Sequence, residues 1–379
     1  MGILFLDTMK HHSFRLSFTV LLGSLLVSQV ATPSTATGQT SENDARLREG
    51  LAKYPEADTN KDGVLTMKEA RDFLAKRRSE KKSNSTDTQV SESKLRAPDH
   101  RDIAYGPHER NVLDLWIAES ETPTPLLICI HGGGFKGGSK AKYHRDVSLI
   151  QPMLDNGISV AAINYRLTDG GKHPYPIPMH DGARALQFLR YHAKEYNLDK
   201  TRIASTGGSA GGCMTLWLGL HEDLADPDNE DPVLRESTRL TAMAPSGAQS
   251  SLHLPTLCQW FGVTSLVEHG GGRPLFGIPA EGEIVITPEL EELVLDASPI
   301  THLTKDDPPV YLTYGANRPV TEKSSAGLWV HHPIMGIKLK EAMDEIGLEA
   351  HVQYKGGPKI KGYDNQVDFL LKKLKSVED

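Results

Sequence analysis

Three things are scarce in this chain of 379 residues, and each scarcity removes a class of explanation. Cysteine is limited to Cys129, Cys213 and Cys258, an odd set with no spacing that would hold zinc and no basis for a disulfide framework. Cys129 falls in an apolar run of strand length and Cys213 in an apolar run after a glycine-rich turn, so both are expected as small buried hydrophobes. Positive charge is outweighed: 42 Lys and Arg face 49 Asp and Glu, for a formal charge of -7, and no long basic run occurs. That balance argues against nucleic acid or an anionic membrane as a partner. An unbroken apolar span is missing too. Leu16 to Ala31 is apolar but is interrupted by Gly23, Ser24 and Ser28, short of the roughly 20 residues that a membrane crossing needs.

What is present begins with an address. Lys10, His11, His12 and Arg15 precede that apolar stretch, and the small residues Ser34-Thr35-Ala36 follow it. Residues 1–36 are therefore expected to be an export signal, and the protein to be secreted or periplasmic. Next, Leu47, Leu51 and Tyr54 stand at helical spacing. They lead into Asp58-Thr-Asn60-Lys-Asp62-Gly63-Val64-Leu65-Thr66-Met-Lys-Glu69. This is the pattern of an EF-hand calcium loop, D-x-[DN]-x-[DN]-G-x5-E. Asp58, Asn60 and Asp62 offer hard oxygen ligands, Gly63 permits the sharp turn and Val64 gives a backbone carbonyl. Thr66 acts directly or through water, and Glu69 closes the site with both oxygens. Leu65 is the apolar residue that such loops pair against a partner loop. Ala70, Phe73 and Leu74 supply the face of an exit helix. Only one such loop is visible, so the expectation for residues 45–78 is a helix-loop-helix that binds calcium structurally. Residues 79–98 are polar and read as a flexible linker to a domain over 99–379.

In that domain Val112 to Ile117 alternates as an early antiparallel strand. Leu126 to Ile130, Val160 to Ile163 and Ile203-Ala204 are candidate parallel strands, with helices between them that include Gly182 to Tyr196. Val310 to Tyr314 and Ala350 to Tyr354 give late strands around a helix over Ile334 to Ile346. Alternating strands and helices predict an α/β fold, a mostly parallel sheet covered on both faces. Residues 245 to 300 show no clear period.

Two glycine-rich motifs carry the chemistry. Gly207-Gly208-Ser209-Ala210-Gly211 fits the G-x-S-x-G elbow, in which a serine sits on a strained strand-to-helix turn. About 75 residues earlier, a buried-strand pattern opens into His131-Gly132-Gly133-Gly134, a loop that offers backbone N–H groups to an oxyanion. No lysine follows Gly212, which excludes a phosphate-binding P-loop. Over residues 99–379 the chain resembles the hormone-sensitive-lipase-like branch of the α/β-hydrolase family, with further echoes in Asn164 to Leu167, Asp181 to Leu186 and Leu198 to Ile203. The resemblance implies an α/β-hydrolase fold and a secreted carboxylic-ester hydrolase of the esterase or lipase kind. In it Ser209 is the nucleophile, the N–H groups of Gly133, Gly134 and Ala210 form the oxyanion hole, and His131 shapes the loop. The substrate class is a small-molecule or polysaccharide acyl ester, and no cofactor serves catalysis.

The chain departs from that family where the other two catalytic groups belong. The segment expected to read Gly-x-x-Asp-Pro-Val reads Gly315-Ala-Asn317-Arg318-Pro-Val320. No histidine follows His351, and Lys359 or Lys361 takes the slot of the base. Three arrangements stay open on the sequence. His331 or His332 could supply the base, oriented by Asp306, Asp307 or Glu322. Lys359 or Lys361 could act on Ser209 directly. Or the domain has lost turnover and serves as a binding module.

Overall fold

The computed structural model describes residues 40–83 and 95–376. The expected export signal and the middle of the expected linker lie outside the described residues. The chain divides into two compact units on either side of residues 91 and 92.

In the first unit, helix α1 (Ala45–Lys53) and helix α2 (Met67–Ser83) flank the acidic loop. Buried Leu47, Ala57 and Leu65, with Leu51, Tyr54 and Phe73 packed on them, form a small core of their own. Among the described residues, Leu65 meets no second loop. Instead Ser41 N–H donates to the Leu65 carbonyl at 2.8 Å, Leu65 N–H donates to Ser41 Oγ at 2.9 Å, and Thr40 pairs with Thr66 as an antiparallel bridge. Helix α2 runs through Ser83, past the expected boundary at residue 78, because nothing in that polar stretch breaks a helix.

The second unit holds eight strands: β1 (His100–Ala104), β2 (Val112–Trp116), β3 (Thr124–Ile130), β4 (Ser159–Ile163), β5 (Leu198–Gly207), β6 (Ala242–Met243), β7 (Val310–Ala316) and β8 (Ala350–Lys355). They lie in one sheet in the order β1-β2-β4-β3-β5-β6-β7-β8, and from β4 to β8 all neighbours are parallel. Only β2 runs against the rest. Leu126, Ile128 and Ile130 of β3 enter one core while Leu127 and Cys129 enter the other, as a strand buried on both faces requires. The first core is covered by helices α4 (Ile177–Tyr191), α5 (Ala210–Leu220) and α10 (Ile334–Glu345). Helices α3 (Val147–Asp155) and α11 (Gln366–Lys375) cover the second. This is the architecture of an α/β-hydrolase. Helix α4 starts at Ile177, five residues before the sequence pattern suggested, because Pro178 is well placed in a first helical turn. Strands β1 and β6 escape the sequence reading for opposite reasons: the first is polar and exposed, the second only two residues long.

Residues 245 to 300 contribute helices α6 (Leu254–Phe261), α7 (Gly272–Leu275) and α8 (Pro288–Asp296). Helix α9 (Ala326–Trp329) follows β7. Together they place side chains above the C-terminal ends of the parallel strands, where loops of such sheets gather ligands.

Candidate active site

Three loops meet at that edge, one leaving each of β3, β5 and β7. Strand β5 turns into α5 at Ser209, whose φ of 55° and ψ of -121° put a non-glycine residue in strained backbone. The turn is possible because Gly211 faces the Ile130 carbonyl so closely that any Cβ there would collide with it. Gly132, from the β3 loop, presses against the Gly208 carbonyl and has no room for a side chain either. The two glycine motifs are therefore packed into each other. Among the described residues, no acceptor takes the N–H of Gly133, Gly134 or Ala210, so the three donors expected for an oxyanion are unengaged.

His131 is buried and stacks on Tyr165 with ring centroids 4.4 Å apart. Its Nε2 lies 3.3 Å from Arg110 Nη2, and Arg110 can only donate. Its Nδ1 lies 2.8 Å from the Gly132 carbonyl, which can only accept. The ring is therefore the neutral Nδ1–H tautomer. Arg110 also donates to the carbonyls of Tyr165 at 2.8 Å and Gly138 at 3.1 Å, so it clamps the oxyanion loop. Nothing in its sequence surroundings marked Arg110 for that task.

Burial pulls the His131 pKa down from about 6.5 to about 4. A lowered folded-state value means the stability it contributes is fully present above about pH 6.5 and is lost as pH falls through about 4. That gap corresponds to on the order of 3 kcal/mol. We expect the thermal midpoint to fall across that window and the acid limb to be shallower in His131→Asn, followed by circular dichroism melts. Equal acid limbs would remove His131 as the cause.

The segment after β7 brings a histidine to Ser209. His331 Nε2 stands 2.8 Å from Ser209 Oγ, and His331 Nδ1 lies 3.2 Å from the Gly327 carbonyl. A carbonyl only accepts, so Nδ1 carries the proton and Nε2 is open to the serine hydroxyl. His331 is kept there by its neighbours. Gly247 passes beside its ring with φ of 55°, and the side-chain amide of buried Gln249 donates to the carbonyls of Gly247 at 2.9 Å and Val330 at 2.6 Å. Gln249 lies in the stretch without a period, so no sequence signal pointed to it.

The other expected members stand elsewhere. His332, the adjacent candidate, is buried and turned away: its Nε2 bonds the Arg318 carbonyl at 2.9 Å and its ring packs on Phe261. Neighbours on a helix entry point in different directions, so only one of the pair reaches Ser209. None of the three proposed orienting carboxylates touches His331. Asp306 and Asp307 pair with Arg239, and Glu322 accepts from Thr264. Arg318, Lys359 and Lys361 are exposed, and no contact ties the lysines to Ser209. The group facing His331 Nδ1 is the main-chain carbonyl of Gly327.

Two spaces open on Ser209. An apolar cavity of about 180 Å³ is walled by Phe135, Leu252, Leu257, Phe276, Trp329 and Val330, and Gly134, Ser209 and Ala210 also line it. A wider groove of about 570 Å³ is bordered by Ser139, Lys142, Ser246, Thr313 and His331.

In the first unit, the loop residues expected to hold calcium are laced together. Gly63 N–H donates to Asp58 Oδ2 and Val64 N–H to Asp62 Oδ1, each at 2.8 Å, while Asn60 Nδ2 donates to Asp62 Oδ2. Hydrogen bonds from the backbone and hydroxyl of Thr66 hold the Glu69 carboxyl at about 2, ionised over the whole neutral range. Asp58 is buried, and its Oδ1 has no hydrogen-bond partner. A buried carboxylate oxygen without a donor fits the demand of a hard cation for oxygen ligands.

The BD-FAE family profile matches residues 113–329, more than half of the chain. The chain belongs to the BD-FAE family. The match takes in Gly133, Gly134, Ser209 and Ala210 and stops two residues short of His331. This BD-FAE chain is 30% identical over 223 residues to the probable carboxylic ester hydrolase LipM of Mycobacterium tuberculosis, covering 57% of this chain and 47% of LipM. It is 28% identical over 219 residues to the probable isoprenylcysteine alpha-carbonyl methylesterase ICMEL1 of Arabidopsis thaliana, covering 57% and 43%. The chain thus spans about half the length of the curated relatives it matches. Among solved structures, a truncated form of a carbohydrate esterase from gut microbiota shares the fold. Its TM-score is 0.56 at 20% identity, over 76% of this chain and all but 1% of that one (99% covered).

Proposed function

We propose that this BD-FAE protein hydrolyses carboxylic esters through an acyl-enzyme on Ser209, with His331 as base and acid. The observation that carries the reading is the 2.8 Å approach of His331 Nε2 to Ser209 Oγ at the strained elbow. As Oγ attacks the ester carbonyl, its proton passes to Nε2. The carbonyl electron pair moves onto oxygen, where the N–H groups of Gly133, Gly134 and Ala210 receive it. Collapse of that intermediate breaks the bond to the alcohol, which leaves with the proton from Nε2. Water then gives a proton to His331, attacks the acyl carbon and frees the acid, and Ser209 recovers its proton. The Gly327 carbonyl maintains the tautomer, but as a dipole it stabilises the imidazolium less than a carboxylate would.

The two spaces divide the substrate. The departing alcohol must receive its proton from His331, so it occupies the wider groove that His331 borders, where Ser139, Lys142, Ser246 and Thr313 offer polar contacts. The acyl chain occupies the apolar cavity beside the oxyanion donors. That division favours a short acyl group on a polar alcohol such as a sugar. Hydrolysis of p-nitrophenyl acetate by the wild type and not by Ser209→Ala tests the activity. Equal rates in both would overturn it.

The 58–69 loop is proposed as a structural EF-hand, with Asp58, Asn60, Asp62, Val64, Thr66 and Glu69 holding Ca²⁺ by oxygen alone. Secretion or a periplasmic location is proposed on the N-terminal pattern, and no helix among the described residues is long and apolar enough to cross a membrane. Calcium is expected to raise the melting temperature of the wild type and leave that of Asp58→Ala unchanged, with ester turnover the same with and without calcium. Calorimetric titration of both proteins checks this, and an equal heat from Asp58→Ala would remove the site.

A further inference from the structure

A second cluster lies at the opposite end of the helix that Ser209 begins. Leu220 closes α5, and His221 follows it directly. His221, Asp296 and His302 each place one ligand-competent atom within 4.8 Å of those of the other two. No other group of three such residues does so among the described residues.

The surroundings of each side chain are those of a ligand held in place. His221 Nδ1 lies 3.0 Å from the Glu222 carbonyl, so it is the protonated nitrogen and Nε2 keeps its lone pair. His302 Nε2 lies 2.6 Å from the Asp296 carbonyl, which leaves the lone pair on Nδ1. Asp296 Oδ2 accepts the Tyr175 hydroxyl at 2.6 Å, and Oδ1 is left over. Ligating histidines characteristically donate their second nitrogen to a carbonyl or carboxylate, which fixes the tautomer and aims the ring. Tilted ring contacts restrain both rings further: the His221 centroid lies 4.2 Å from that of Trp217 and 4.4 Å from that of His302. The carbonyl end of α5 adds a negative potential.

We propose that His221, Asp296 and His302 bind a divalent transition metal such as zinc, with water completing the shell. Two imidazoles and one carboxylate select zinc or its neighbours over calcium, which the all-oxygen loop of the first unit would take. Ligand atoms on a tetrahedral zinc stand about 3.4 Å apart. The spread of up to 4.8 Å among the three ligand atoms closes to that distance by side-chain rotation. The Asp296 side chain is 49% exposed, so an ion can enter from solvent. A bound ion would pin the end of the nucleophile helix to the segment from Asp296 to His302. Its role is to stabilise that helix, and it takes no part in proton transfer.

The test is a Co²⁺ and Zn²⁺ titration of the full chain after EDTA treatment and return to calcium buffer, which keeps the oxygen loop supplied. We expect one equivalent of saturable Co²⁺ with visible d–d absorption, and a Zn²⁺-dependent rise of several degrees in melting temperature. Affinity should drop at least tenfold in each of His221→Asn, His302→Asn and Asp296→Asn, with metal-free ester turnover serving as the check of folding. Wild type that binds no metal saturably would overturn the proposal whatever the variants do. So would equal binding by the wild type and a folded variant.

Discussion

Ser209→Ala is expected to lower kcat/KM for p-nitrophenyl acetate by about 10⁴-fold or more, equivalent to about 5 kcal/mol of transition-state stabilisation. In the proposed mechanism the Ser209 hydroxyl forms the acyl bond, and its replacement leaves Gly133, Gly134, Ala210 and both spaces intact. A remnant of about 10³-fold over water is expected from those donors alone. The fold should hold, because no protein group other than His331 depends on Oγ. A phosphonate probe should add its mass to the Ser209 peptide of the wild type and not to the variant. Undiminished turnover or unchanged labelling would remove the serine from the mechanism.

The second large effect is expected at His331. His331→Ala should reduce kcat by about 10³-fold or more, since the serine then has no base and the alcohol no acid. The neighbouring substitution should behave differently. His332 is buried and bonded to the Arg318 carbonyl, so His332→Ala costs about 1–3 kcal/mol of stability while kcat changes only a few-fold. Lys359→Ala and Lys361→Ala should leave the rate untouched, because both side chains are exposed. Kinetics beside melting curves separate these cases. A loss of turnover in His332→Ala or in a lysine variant, with His331→Ala active, would reassign the base.

The proposed route of the proton also accounts for the departures from the family pattern. With the base delivered by the β7 loop, the usual histidine slot after β8 carries no constraint, and Lys359 and Lys361 sit there as solvated side chains. The slot for the acid is free as well, and Arg318 contributes only its main-chain carbonyl, to His332. Gln249 and Arg110 are positioning residues, one behind His331 and one behind the oxyanion loop. Both work through hydrogen bonds to carbonyls, which any residue type supplies, so the partner side of each bond leaves no mark in a sequence.

The elbow, the glycine-rich loop after β3, the acidic loop and the alternation of strands and helices are legible in the residues alone. Each is a local requirement: a glycine where a side chain would collide, an oxygen at every ligand position, an apolar run where a strand is covered on both faces. Only the tertiary structure decided which histidine meets Ser209, that a carbonyl rather than a carboxylate orients it, and that His221, Asp296 and His302 stand together. Those choices depend on where the β7 loop and the helices of residues 245 to 300 come to rest. That is set by packing between segments far apart in the chain, where neither periodicity nor spacing carries a signal.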